Sequence, residues 1–593
     1  MMRSRTRVST AIIVLIAALH VVLSWNWRIG DPENGPWQTV IGSDGEGFHA
    51  YLTGLFIQHD LAKAPAPDHV FTPAGDGRVI KYFCGTALLQ APFFLVAHSA
   101  ASAGLADPDG RSFPYQLAVV IGSLCFLVFG LFCLRSLLLT LGIGDPATAI
   151  TIGAVGFGTG ALYHSVMIPS MSHVAAFAAI AWTFERAAHA WRSPPGSGLW
   201  QVALGLGLVA LIRPTDLLIT LALPVVILND PHVLKEWIIR QGLRKWSMAA
   251  ITFLLVILIQ PLLWYLQCGE AFIRPYSEEG FLWDRPMIWS SLFGARKGLF
   301  FYWPLLLLCA PGLVLVCKRN SLSGMTWLVG MLAFVYVTGC WWTWYYGFSY
   351  GLRPYTDVLP VMAIPIAVFI DAAWSSRGRA LLLLAVPLAL LQCFQAWQYH
   401  VGIIHPTNMD LEKYKRIFLR TDGAYRALFE DGNMRPPYSA NGMRTLVDLA
   451  YDPAAPLPPW SGGYSWRGPN GELYSRLDGA HSFGPAIVIP ANELPADRQF
   501  FIRTSVRVQA LTEGGSLTAQ WVCSLEGPDG HRVYMTFPLN NTKRIGDTSW
   551  QHWQEAILLP RALPGEELRI YVWQPGPQPL LIDKLEVKIL VQN

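Results

Sequence analysis

The sequence predicts a polytopic α-helical membrane protein, with about 11–13 transmembrane helices, that ends in an all-β, jelly-roll-like sandwich. Two patterns carry that expectation. Apolar runs of roughly 18 or more residues, the length that crosses a hydrocarbon core, recur through the first two thirds of the chain. Short runs of alternating polarity, punctuated by Gly, Pro, Asn and Asp, fill about the last 130 residues. Composition agrees: of 593 residues, 52% are hydrophobic and only 14% charged. The net charge of +4 lacks the basic patch with interleaved aromatics that a nucleic-acid partner would need.

At the N-terminus, Arg3, Arg5 and Arg7 precede an apolar run over 8–25. No small-x-small cleavage site follows and many further spans do, so the run reads as an uncleaved first helix with its arginines in the cytoplasm. The other candidate spans are 84–104, 113–134, 147–165, 170–190, 199–229, 246–266, 298–317, 322–340, 355–373 and 380–398. The run 199–229 is interrupted by Arg213-Pro214, so it is one bent helix or two short ones. Basic clusters at 235–245, 318–319 and 377–379 belong in the cytoplasm. They place 267–297, 341–354 and everything after 399 outside, and the N-terminal arginines place 26–83 outside, in a multi-pass protein of a bacterial inner or plasma membrane. Eleven crossings join an inside N-terminus to an outside C-terminus. Counting 199–229 twice gives twelve, which fails unless another turn lies between 84 and 165. The side of 163–173 stays open.

Three domains follow: a membrane domain over 1–400, a connecting region over 401–460 and a β-sandwich over 461–593. The connector is Pro-rich, with some helix expected near 425–429; the expected strands include 500–508, 517–523, 532–537, 567–573 and 580–589. Most of the nine cysteines lie in apolar runs without CxxC spacing, so zinc-finger and redox readings are set aside. No internal repeat stands out, which weakens an inverted-repeat transporter.

The chemistry gathers where apolar runs end. Asp44 and Glu46 lie in Ser43-Asp-Gly-Glu-Gly-Phe-His-Ala-Tyr51. In an extended loop they would share a face, and Gly42, Gly45 and Gly47 would let backbone approach a substrate. They are either a general base with its neighbour or a solvated turn capping a helix that starts near Phe48. Lys81, beside Tyr82, either snorkels or holds a lipid phosphate. Arg296 and Lys297 enter a span together. Eight aromatics between Trp341 and Tyr355 surround Arg353 and Asp357. An interfacial girdle explains the rings but not these charges, which sit four apart on one helical face and should form a buried ion pair or a phosphate-and-sugar site. Arg213 needs the same explanation. His164 and His173, nine apart, make a poor metal motif and read more simply as satisfied histidines at a helix break.

Taken in order, several segments resemble the C-type (GT-C) membrane glycosyltransferases, particularly the branch of protein O-mannosyltransferases and aminoarabinose transferase-like proteins. They are the acidic first loop, Lys-Tyr-x-x-Gly-x-Ala-Leu-Leu-x-x-Pro, Tyr-His-Ser…Ser-His-x-x-Ala-Phe, Arg-Pro-Thr-Asp, Gly-Leu-Phe-x-Tyr-x-Pro and Trp-Tyr-Tyr-Gly-x-Ser-Tyr-Gly-x-Arg-Pro. The resemblance covers about residues 8–400. It implies inverting transfer of a hexosyl or pentosyl group from a polyprenyl-phosphate carrier to an extracytoplasmic glycan, lipid or protein. In that frame Asp44 is the general base with Glu46 beside it, and Lys81, Arg296 and Arg353 compensate the donor phosphate. Tyr82, His173, Tyr350 and Asp357 would contact substrate, and a divalent metal is a possible cofactor. The chain departs from the family in having Asp-Gly-Glu for an acidic pair and Tyr-Phe after the lysine. The sandwich resembles a carbohydrate-binding jelly roll, with Trp460, Trp466, Trp550, Trp553 and Trp573 available to stack on sugars or to fill the core. A spacer or docking role is equally open. Two rivals stand beside the enzyme: a lipid or solute transporter, and a non-catalytic envelope assembly protein.

Overall fold

The computed structural model describes residues 7–30, 37–75, 77–193, 198–227, 234–276, 279–284, 286–375, 385–406, 409, 411–422, 443–454, 458–498, 500–511, 519–528, 530–539 and 549–592. The chain divides into two compact units, 1–421 and 422–593. The first is a bundle of apolar helices, the body of an integral membrane protein. Among the described residues, five helical stretches are long and apolar enough to cross a bilayer: Val8–Ile29, Gly85–Leu105, Phe113–Thr140, Lys235–Cys268 and Ser321–Cys340. Three shorter apolar helices accompany them: Leu199–Ile212, Pro214–Ile227 and Leu359–Trp374.

Polar contacts between helix termini sort the bundle into two ends. At one end Arg135 Nε lies 2.8 Å from Ser9 Oγ, Ser136 Oγ donates to Glu185 at 2.9 Å, Gly144 N donates to Asp371 at 3.0 Å and Asn320 Nδ2 donates to Ile227 O at 2.9 Å. At the other end Asp44, His173, Arg213, Arg353 and Asp357 converge. Between these ends the chain alternates eleven times among the described residues. The segments that run from one end to the other are Arg7–Ser24, Phe113–Thr140, Asp145–Phe157, His173–Arg192, Leu199–Ile212, Pro214–Ile227, 234–268, 299–319, Ser321–Cys340, Leu359–Trp374 and Ala385–His400.

This path bears on two of the expected spans. The interrupted run 199–229 is two antiparallel helices, with Leu199 and Ile227 at one end and Arg213 at the turn. The expected span 84–104 does not run from one end of the bundle to the other. Tyr51 Oη donates to Tyr82 O at 2.7 Å just before this helix, and His49 Nε2 lies 2.6 Å from Gly110 O just after it. Both anchors are on the helix Asp44–Phe56. Five residues from Leu105 to Gly110 reach at most about 18 Å, too short to return through a bilayer core of about 30 Å. Ala87, Phe94, Ala97 and Ala101 instead pack into one cluster with Phe48, Tyr51, Val70 and Tyr82 of the first loop. Val96 on the open side is 72% exposed, as suits an interfacial helix. Hydropathy alone does not separate apolar surface covered by a loop from apolar surface covered by lipid. The segment 163–173, whose side was open, lies at the end that holds Asp44.

The second unit is a sandwich of antiparallel strands. Strands β3 (Met443–Tyr451), β4 (Trp460–Ser461), β5 (Tyr464–Arg467), β6 (Leu473–Leu477), β7 (Phe483–Pro490), β8 (Phe500–Ala510), β9 (Gln520–Gly527), β10 (Gly530–Pro538), β11 (Gln551–Leu559), β12 (Glu567–Trp573) and β13 (Leu580–Gln592) follow a hairpin of β1 (Phe71–Ala74) and β2 (Gly77–Ile80) in the first unit. One sheet runs β10-β9-β12-β7-β4 and the other β11-β8-β13-β6-β5, with β3 also on β13. Inward residues Phe500, Ile502, Trp521, Trp553, Leu585 and Ile589 form the core between them. The sandwich starts earlier than Ser461, because Tyr451 pairs with Leu585 and Trp460 with Ile487. Val447, Leu449 and Tyr451 alternate inward, but the Pro-rich flank obscured that period in the sequence. The expected helix near 425–429 lies outside the described residues.

A carboxylate–arginine cluster at one end of the bundle

The acidic pair opens a helix rather than lying in an extended loop. Asp44 is the first residue of Asp44–Phe56, entered through Ser43 at φ 54°, ψ −136°. Two residues along a helix turn about 200°, so Asp44 and Glu46 point apart instead of sharing a face. Glu46 meets Arg111 in a bidentate pair at 3.2 and 2.5 Å, and Arg111 also donates to Pro65 O at 2.9 Å. Glu46 thus clasps the return from the interfacial helix. The glycines serve packing: a Cβ on Gly45 would overlap the Ser170 hydroxyl, and one on Gly47 would overlap the Tyr82 ring.

Asp44 Oδ2 accepts from Arg353 NH2 at 2.9 Å, and Asp44 Oδ1 accepts from the Tyr82 hydroxyl at 3.2 Å. The Asp44 side chain remains 27% exposed and that of Arg353 14%, so both are partly accessible at this open end of the bundle. Burial works against the Asp44 charge. Arg353, then His173, the Tyr82 hydroxyl and Arg213, outweigh it and hold the carboxyl below its ordinary range. Glutamines of the helix Ile259–Cys268 position the segment after β2 that carries Tyr82: Ile80 N donates to Gln267 Oε1 at 2.8 Å and Cys84 N to Gln260 Oε1 at 2.7 Å. Lys81, next to Tyr82, pairs with Glu279 at 2.9 Å and is 14% exposed. Tyr276, which carried no signal in the sequence, packs edge-on against Tyr82 with centroids 6.3 Å apart.

Beneath this pair lies a second layer, in which His173, Asp357 and Asp216 are buried and Arg213 is partly exposed. Arg353 and Asp357 do not pair with each other as expected. Arg353–Thr356 is a 3₁₀ turn, in which four residues turn about 120° rather than returning to one face. Asp357 instead accepts from His173 Nδ1 at 2.8 Å, with both side chains at 0% exposure. Arg213 Nε stands 3.3 Å from Asp357 Oδ2 and 3.9 Å from Asp216, contacts of charge rather than aligned hydrogen bonds. Arg213 was conspicuous in the sequence as a cation amid apolar residues, with Asp216 in the same Arg-Pro-Thr-Asp motif. His164 Nδ1 lies 3.0 Å from Thr356 Oγ1.

The remaining expected residues are placed apart from Asp44. Arg296 stacks on the Tyr345 ring at 3.5 Å. Lys297, expected with Arg296 at the entry to a span, is buried and donates to the carbonyls of Ser349 and Pro406. Tyr350 is 0% exposed, walled by Tyr163, Tyr302 and Tyr399, with its hydroxyl on Gln392 O at 3.3 Å. In this conformation it fills the core beneath the opening and faces no substrate. Among the described residues no group of three or more His, Cys, Asp or Glu is placed to hold a metal ion, and Asp44 has committed its two oxygens to Arg353 and Tyr82. In the sandwich, Trp460 and Trp553 are core residues, whereas Trp466, Trp550 and Trp573 are partly exposed.

The chain is therefore a helical integral membrane protein with a C-terminal β-sandwich and a charged cluster at one end of its bundle. No family model matches it, and no curated protein matches it. Among solved structures it is similar to the arabinosyltransferase EmbB from Mycobacterium smegmatis, at 12% identity and a TM-score of 0.36, over 97% of this chain and 64% of that one. It is similar to the oligosaccharyltransferase from Archaeoglobus fulgidus at 13% identity and a TM-score of 0.42, over 70% of this chain and 58% of that one. The chain thus spans less than two thirds of the length of either. Over 26% of its length this chain is also similar to 99% of the CBM22-1 xylan-binding domain of Paenibacillus barcinonensis Xyn10C, at 15% identity and a TM-score of 0.19.

Proposed function

We propose that the protein is a membrane glycosyltransferase that moves a sugar from a polyprenyl-phosphate carrier to an acceptor hydroxyl outside the cytoplasm, with inversion. The observation that supports this best is the Asp44–Arg353 pair, brought to 2.9 Å at one partly open end of an apolar bundle. An acceptor oxygen attacking the anomeric carbon must lose a proton while the carbon–phosphate oxygen bond breaks. Asp44 is the carboxylate positioned to take that proton. Negative charge develops on the departing lipid phosphate, and Arg353, Arg213 and Lys81 are the cations near enough to this opening to compensate it. Arg353 would exchange Asp44 for the phosphate, which leaves Asp44 a stronger base at the moment it is needed. The Tyr82 hydroxyl orients the carboxylate, and no step is routed through a metal.

The test is transfer of a radiolabelled polyprenyl-phosphate sugar by the purified full-length protein. Asp44→Asn should lower the rate by about 10²–10⁴-fold, the usual share of a general base. Unchanged transfer by that variant would remove Asp44 as the base.

A further inference from the structure

We infer that the His173–Asp357 hydrogen bond is a positioning device that holds Asp44 and Arg353 in register, rather than a contact to substrate. This rests on the reading of Asp44 and Arg353 as the working pair. Both side chains of the bond are 0% exposed, so nothing from the opening reaches them.

Each partner lies three or four residues along the chain from a residue that contacts or belongs to the pair. On one side, Ser170 stands three residues before His173. It packs against Gly45, and its hydroxyl lies 3.4 Å from Gly42 O, so it grips the chain on both sides of Asp44. On the other side, Asp357 closes the 3₁₀ turn that begins at Arg353, with Asp357 N donating to Pro354 O at 3.3 Å. The 2.8 Å bond from His173 Nδ1 to Asp357 Oδ1 therefore joins the frame of Asp44 to the frame of Arg353. Arg213, 3.3 Å from the other Asp357 oxygen, braces the same carboxylate. With a carboxylate as acceptor, the ring carries its hydrogen on Nδ1, and Nε2 is buried without a hydrogen-bond partner. Only the Nδ1 donor is needed for this role.

That requirement separates two amides. Asparagine places an N–H where Nδ1 stands, whereas glutamine places one where Nε2 stands. In the full-length protein, His173→Asn should keep kcat within about threefold of wild type. His173→Gln should lower kcat by about 10- to 100-fold with KM nearly unchanged, since small misplacements of reacting groups cost rates of that order. Hydrogen–deuterium exchange of the substrate-free protein supplies a readout independent of turnover. Exchange should speed up in peptides spanning 43–48 and 353–358 for His173→Gln and remain as in wild type for His173→Asn. A raised KM at constant kcat in both variants would make His173 a substrate contact and overturn the inference. Equal loss in the two variants, or exchange unaltered in both peptides for His173→Gln, would overturn it as well. If the wild-type protein transfers no sugar, the proposed function fails while the exchange experiment still decides the positioning bond. Should His173→Gln fail to fold, Asp357→Leu, which removes the acceptor at similar volume, must reproduce the exchange in both peptides.

Discussion

In the free protein Asp44 holds Arg353 at 2.9 Å, and that contact keeps its carboxyl below the ordinary value of 3.8 despite burial. A lowered folded pKa means the pair contributes stability above about pH 4 and loses it as pH falls through the lowered value. If a donor phosphate draws Arg353 away, burial acts on Asp44 without that counter-charge, and its pKa rises in the complex. The acid limb of kcat should then lie at higher pH than the acid limb of kcat/KM, because the first reports the bound state and the second the free one. Profiles measured at saturating and at low donor decide this, and coincident limbs would count against the exchange of Arg353. Glu46 carries a different expectation. Its partner Arg111 is 37% exposed, so Arg111→Ala should cost only about 1 kcal/mol of stability and leave transfer within a few-fold of wild type. Asp44, Lys81 and Arg353 were legible in the sequence because a charge at the edge of an apolar run demands a partner. Which partner each takes was not: Arg353 lies 309 residues from Asp44, and Glu279 lies 198 residues from Lys81.

At the scale of elements, the first turn of Asp44–Phe56 depends on two glycines that allow side chains to sit against its backbone. Gly47→Ala would drive a methyl group into the Tyr82 ring. The expected cost is about 1–3 kcal/mol, seen as a lower melting temperature in detergent, together with reduced transfer because Tyr82 no longer meets Asp44. A melting temperature and rate equal to wild type would show that the ring yields freely. The sequence marked these glycines as unusual but suggested approach of a substrate, since a glycine's neighbour across space has no local signature. The aromatic segment was likewise half legible. Its girdle-like composition was plain, but the hydrogen bond from Trp342 N to Gly280 O that holds it depends on a loop some 60 residues earlier.

For the whole molecule, the decisive feature is the path of the chain between the two ends of the bundle. Single cysteines at Ser102 and Asp109, introduced after replacing the nine native cysteines, should react with an impermeant maleimide from the same side of sealed vesicles. A cysteine at Ser321 should react only from the other. Labelling of both Ser102 and Asp109 from the same side as Ser321 would restore the crossing by 84–104. The sequence by itself determined the kinds of element: apolar runs long enough to span, and alternating runs that make a sandwich. Those follow from the solvation of neighbouring residues, which a local window records. Tertiary structure alone decided that 84–104 folds back, that 199–229 turns at Arg213, and that His173 and Asp357, 184 residues apart, brace the charged cluster. Burial by a loop and burial by lipid select the same side chains, and the choice of counter-charge is made by packing across the bundle rather than along the chain.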